Sequence, residues 1–111
     1  PLDLAAMQKA AGHFTGSHDF SAFCSLKRMK RSAVRRIDGL HVERLGDEVR
    51  FTVSGDGFLY NMVRIIVGTL LEVGRGNLSP DAIPDILASL DRQNAGPTAP
   101  AKGLCLEQVR Y

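Results

Sequence analysis

Residues 58–73 read Phe-Leu-Tyr-Asn-Met-Val-Arg-Ile-Ile-Val-Gly-Thr-Leu-Leu-Glu-Val, which is apolar on almost every side. A helix of that composition has no face to give to solvent, so the rest of the chain must wrap it. The run falls short of the roughly 18 uninterrupted apolar residues that a membrane span needs. The expectation is therefore a buried helix from Phe58 to Val73, ended by Gly74-Arg75-Gly76. A chain of 111 residues has room for one compact domain around one such core. Its 44% hydrophobic and 23% charged residues give a soluble globular balance rather than a disordered one.

Arg64 is out of place in this run. Its helical neighbours three and four residues away are Tyr60, Asn61, Val67 and Gly68, none of them acidic. A desolvated guanidinium without a partner costs several kcal/mol or more, on the order of a buried ion's desolvation. Arg64 must therefore reach the surface along its own stem or meet a carboxylate, a phosphate or water. Asp19, Asp56 and Glu107 are the carboxylates this chain offers, and Gly68 leaves room for a close approach. A carboxylate held this way stays ionised, as a nucleophile requires.

The remaining elements follow from periodicity. Leu4, Ala5, Met7 and Ala11 carry helical spacing between Leu2 and Ala11, and Gly12 can stop that helix. Gly16-Ser17-His18-Asp19-Phe20-Ser21-Ala22-Phe23 combines turn formers with two phenylalanines that call for burial. Ala33 to Leu45 predicts a long strand, with Asp38-Gly39 marking a bulge or bend. Gly46-Asp47 is a tight turn, and Glu48 to Ser54 alternates as the second arm of a hairpin. Ser79-Pro80-Asp81 opens a helix to about Leu90, whose first turn Pro84 should distort. Gly96-Pro97-Thr98-Ala99-Pro100 is a rigid connector, and Gly103 to Tyr111 alternates as a final strand. Strands and helices are segregated, which points to an α+β fold, a mostly antiparallel sheet with helices packed on one face.

Net charge is only +2, but Lys27, Arg28, Lys30, Arg31, Arg35 and Arg36 cluster in one short run. Such a run is either a solvated face or a contact for nucleic-acid phosphates. Cys24 and Cys105 have no framework spacing, and two partly buried thiols are expected rather than a disulfide. His13, His18 and Cys24 fit no familiar zinc spacing even with Cys105 or His41 added, so packing and capping roles are expected for them. Gly55-Asp56-Gly57 and Gly74-Arg75-Gly76 lack phosphate-loop spacing and read as turns. The start, Pro1-Leu2-Asp3, has neither a basic nor an apolar leader region, which suggests a cytoplasmic setting with no membrane. It also lacks an initiator Met, which suggests a piece of a longer protein.

Four blocks together carry a family resemblance. The helix Phe58-Leu59-Tyr60-Asn61-Met62-Val63-Arg64 with Ile66-Val67-Gly68-Thr69-Leu70 resembles the signature helix of the TruA-type tRNA pseudouridine synthases. Gly16 to Phe23, Ala95 to Pro100 with Gly103-Leu104, and Val109-Arg110-Tyr111 match in the same order. The resemblance implies one half of the pseudouridine synthase fold and the isomerisation of uridine to pseudouridine in the anticodon stem-loop of tRNA. It implies no metal and no cofactor. The nucleophilic aspartate of that family lies in an Arg-Thr-Asp-Ala-Gly type segment of the N-terminal half, and this chain has no such segment. Residues 1–111 are accordingly expected to be the C-terminal domain.

Carried over residue by residue, Arg64 matches the basic residue that pairs with the catalytic aspartate. Leu104 resembles the apolar residue near the target base, and Phe58 and Tyr60 would line the same pocket unless they are simply core. The basic run Lys27, Arg28, Lys30, Arg31, Arg35 and Arg36 would touch the RNA backbone, where phosphate contacts position rather than specify. The expected partners are tRNA, the N-terminal half of the same protein and a second copy in a homodimer. Alone, the chain is expected to be inactive. A binding or dimerisation module without activity is the alternative.

Overall fold

A computed structural model describes residues 2–24, 32–46, 48–57 and 61–99. The expected final strand at 103–111, the turn residue Asp47, and Phe58, Tyr60 and Leu104 lie outside the described residues.

Helix α1 spans Leu4–Gly12, and its N-cap Asp3 accepts a hydrogen bond from the Ala6 amide at 3.1 Å. Strand β1, Gly16–Asp19, follows and pairs antiparallel with β2, Val34–Leu45. Strand β3, Glu48–Asp56, pairs antiparallel on the other side of β2, so the sheet order is β1-β2-β3. Helix α2 spans Met62–Gly74 and α3 spans Ile83–Ser89, with short 3-10 turns at Ser21–Phe23, Pro80–Ala82 and Arg92–Asn94. The α+β expectation with an antiparallel sheet holds.

The bulge in β2 decides which side chains reach the core. Ile37 pairs with Gly55 and Gly39 with Ser54, which leaves Asp38 as the extra residue. In an unbroken strand, Ile37 and Leu40 would face opposite sides. With the bulge, Ile37, Leu40 and Val42 are all buried, together with Phe51 and Val53 of β3. Arg36, His41 and Glu43 stay exposed on the other face. Helix α1 closes the buried side through Met7, Ala10 and Ala11, and its Gln8 side chain donates to the Val42 carbonyl at 3.0 Å. Phe14, Phe20 and Phe23 meet edge to face, with Phe14 and Phe23 centroids 5.1 Å apart.

Two expectations need correction. Gly16–Asp19 is a strand, not a turn, because β2 offers it a complete antiparallel partner from Val34 to Ile37. The phenylalanines beside it are nevertheless fully buried, as expected. Helix α2 begins at Met62 rather than Phe58, because Asn61 is left-handed with φ 59° and a helix cannot run through such a residue. The helix opened by Ser79 needs no correction: it is a 3-10 turn for its first three residues before it becomes α3. That is the distortion expected from Pro84. Leu90 then ends the helix with φ 57°.

Candidate active site

The first turn of α2 holds Arg64. The helix is buried along Ile65, Ile66, Val67, Gly68, Thr69 and Leu70, whereas Arg64 is half-buried. Its Nε donates to the Ala99 carbonyl at 2.7 Å, and Nη1 reaches Asn61 Oδ1 at 3.4 Å. The second N–H of Nη1 and both of Nη2 have no hydrogen-bond partner among the described residues. No carboxylate among the described residues lies within ion-pair distance of Arg64. Of the three acidic candidates, Asp19 caps its own turn, accepting from the Ser21 amide at 2.9 Å and the Ser21 hydroxyl at 2.5 Å. The Asp56 side chain and Glu107 lie outside the described residues.

Gly68 does leave room for a close approach, but backbone fills it. A Cβ at Gly68 would overlap the Pro97 carbonyl oxygen. A Cβ at Gly96 would stand 2.7 Å from Thr69 Cα. The two glycines let residues 96–99 lie directly on α2 as a strap. Thr69, buried completely, accepts from the Gly96 amide at 2.9 Å and donates to the Ile65 carbonyl at 2.8 Å. At the other end the Ala99 amide donates to the Arg64 carbonyl at 2.9 Å. Arg92 also holds the strap, with Nη1 on the Gly96 carbonyl at 2.8 Å and Nη2 on Thr98 Oγ1 at 3.2 Å. Sequence reasoning singled out neither Thr69 nor Arg92. A hydroxyl at an otherwise apolar helix position was the available signal, since buried polar groups require partners.

The basic run is only partly in view. Lys27, Arg28, Lys30 and Arg31 lie outside the described residues. Arg35 folds back on its own chain, with Nη1 at 2.7 Å from both the Ser32 and Val34 carbonyls. Arg36 is exposed and pairs with Asp38 at 3.2 Å. As consecutive strand residues the two start toward opposite faces of the sheet.

His18 Nε2 contacts the Thr15 carbonyl at 2.8 Å, and its ring meets Phe20 edge to face. His13 Nε2 lies 3.6 Å from Asp81 Oδ1, too far for a hydrogen bond. Among the described residues no three His, Cys, Asp or Glu side chains converge to hold a metal ion. A surface cavity of about 470 Å³ is lined by His13, His18, Asp19, Pro84, Leu87, Ala88 and Leu90. Arg64 does not border it. No helix among the described residues is long and apolar enough to cross a membrane.

Arg64 is thus held by Ala99 and Asn61 at the start of a buried helix. The family model described as tRNA pseudouridine synthase matches residues 10–111. The chain belongs to the tRNA pseudouridine synthase family. Relatives include tRNA pseudouridine synthase A of Brevibacillus brevis, 57% identical over all 111 residues, and that of Moorella thermoacetica, 52% identical over the same span. A third, tRNA pseudouridine synthase A 1 of Bacillus cereus, is 54% identical over the whole chain. The match covers 46%, 45% and 45% of these relatives, so the chain spans less than half their length. Arg64 stands within the matched region.

Proposed function

We propose that this chain is the C-terminal half of a tRNA pseudouridine synthase and forms one wall of its active site. The complete protein isomerises uridine to pseudouridine in the anticodon stem-loop of tRNA. An aspartate supplied by the N-terminal half attacks, the glycosidic bond breaks, the uracil turns over, and a C–C bond forms to the same sugar. No cofactor takes part in these steps. Arg64 pairs with that aspartate and keeps it ionised, because an adjacent guanidinium favours the charged form of a carboxyl. The observation that carries this reading is the state of Arg64. Its inner edge is fixed by Ala99 and Asn61, and its outer N–H groups remain open among the described residues.

Phe58, Tyr60 and Leu104 are proposed to line the base pocket, and Lys27, Arg28, Lys30, Arg31, Arg35 and Arg36 to contact RNA phosphates. The family resemblance supports a cytoplasmic homodimer on tRNA. The isolated chain, without the aspartate, has no nucleophile for the reaction and is inactive.

In the full-length protein, Arg64→Met lowers turnover by about 10²- to 10³-fold, the scale of removing one partner of a buried ion pair. Affinity for tRNA stays within about twofold, because a pairing residue inside the pocket contributes little to phosphate binding. Equal loss of binding and turnover would show a folding role and overturn the proposal. So would an adjoining coding sequence with no Arg-Thr-Asp-Ala-Gly type segment.

A further inference from the structure

We propose that Thr69 is a positioning residue for Arg64, acting through the strap 96–99. The inference rests on the role given to Arg64 above. The strap runs back along α2, with Gly96 at Thr69, Pro97 at Gly68 and Ala99 at Arg64. Its two ends are fixed by different groups. At the far end the Thr69 hydroxyl takes the Gly96 amide, and it is itself held by the Ile65 carbonyl. At the near end Ala99 and Arg64 exchange two hydrogen bonds, amide to carbonyl at 2.9 Å and Nε to carbonyl at 2.7 Å.

The Ala99 carbonyl is therefore the support that sets the plane of the Arg64 guanidinium, and the position of that carbonyl depends on where the strap lies. A guanidinium is planar, so fixing Nε and one Nη1 donor also fixes the direction of the remaining N–H groups. Pro97 and the overlap-free contact at Gly68 make the strap stiff between its ends, so a shift at Gly96 is passed to Ala99. Arg92 adds a second hold at Gly96 and Thr98. Productive geometry in a catalytic pair tolerates little displacement, and misplacement of about 1 Å can cost on the order of 10²-fold.

The test uses the full-length protein with Arg64 Nε–H exchange by NMR and steady-state turnover on tRNA. Thr69→Val keeps the volume and removes the acceptor for the Gly96 amide. Its Arg64 Nε–H signal exchanges about tenfold faster, and kcat falls about tenfold, the scale of one lost hydrogen bond. KM for tRNA stays unchanged, and Thr69→Ser restores both readouts. Unchanged Nε–H exchange in Thr69→Val would overturn the inference. So would an unchanged kcat in Thr69→Val where Arg64→Met abolishes turnover. If Arg64→Met itself leaves turnover intact, the proposed role of Arg64 fails instead, and the exchange measurement still reads the strap. Should Thr69→Val not fold, Arg92→Gln releases the strap from its other side, with the same two readouts expected to move.

Discussion

The strap on α2 and the β2–β3 hairpin both hold two segments of chain together, yet they are built in opposite ways. The hairpin is made by side chains. Ile37, Leu40, Val42, Phe51 and Val53 fill one face, and one extra residue, Asp38, restores the phase between Ile37 and Leu40. The strap contact is made by the absence of side chains, with Gly68 and Gly96 allowing backbone to meet backbone. The first construction has a filled face and an open face, so tolerance to change differs by side. The second has no spare space in the direction of contact. It can therefore hold the Ala99 carbonyl firmly against Arg64.

Substitutions can break this comparison. Phe51→Ala removes a buried ring from the hairpin and should cost about 3–5 kcal/mol in urea unfolding. Gly68→Ala adds a single methyl group, but that methyl meets the Pro97 carbonyl, part of the backbone, which cannot rotate aside. It should cost about 1–3 kcal/mol despite the better helix propensity of alanine, and the Gly96 amide should lose its protection from hydrogen exchange. Retained protection would show that the strap is pliable and that the contrast drawn here is false. Arg36→Ala, on the open face of the hairpin, removes an ion pair with a largely exposed arginine. It should change stability by less than about 1 kcal/mol, and a larger change would mean that the open face is not open.

The hairpin was legible in the sequence because its signal is local. Alternation identified β3, and Asp38-Gly39 within the strand marked a bulge or bend, which the pairing resolves as a bulge. The caps at Asp3 and Ser79 were equally local, although only Ser79 was read as one. Strand β1 was not legible, since Gly16, Ser17 and Asp19 favour turns and the strand exists because β2 supplies its partner. At the site, the charge of Arg64 in an apolar run could be seen directly, as could its lack of an acidic neighbour. Its support could not. The space at Gly68 suggested a close approach, but no pattern in the sequence says that Pro97 fills it or that Ala99 turns its carbonyl toward Nε. Contacts between backbones leave no periodicity to read.

The strap has a consequence for the order in which this half takes shape. Gly96 meets Thr69 across 27 residues of chain, and Ala99 meets Arg64 across 35. Closing a loop of that size costs roughly 3 kcal/mol of chain entropy, and the contact returns it only after α3 has brought the chain back. Residues 62–74 are synthesised well before then, and until the strap docks the Ala99 carbonyl cannot hold Arg64. The direction of Arg64 is thus a late event in folding. A ribosome must release the residues past Ala99 before the charge on α2 points anywhere in particular.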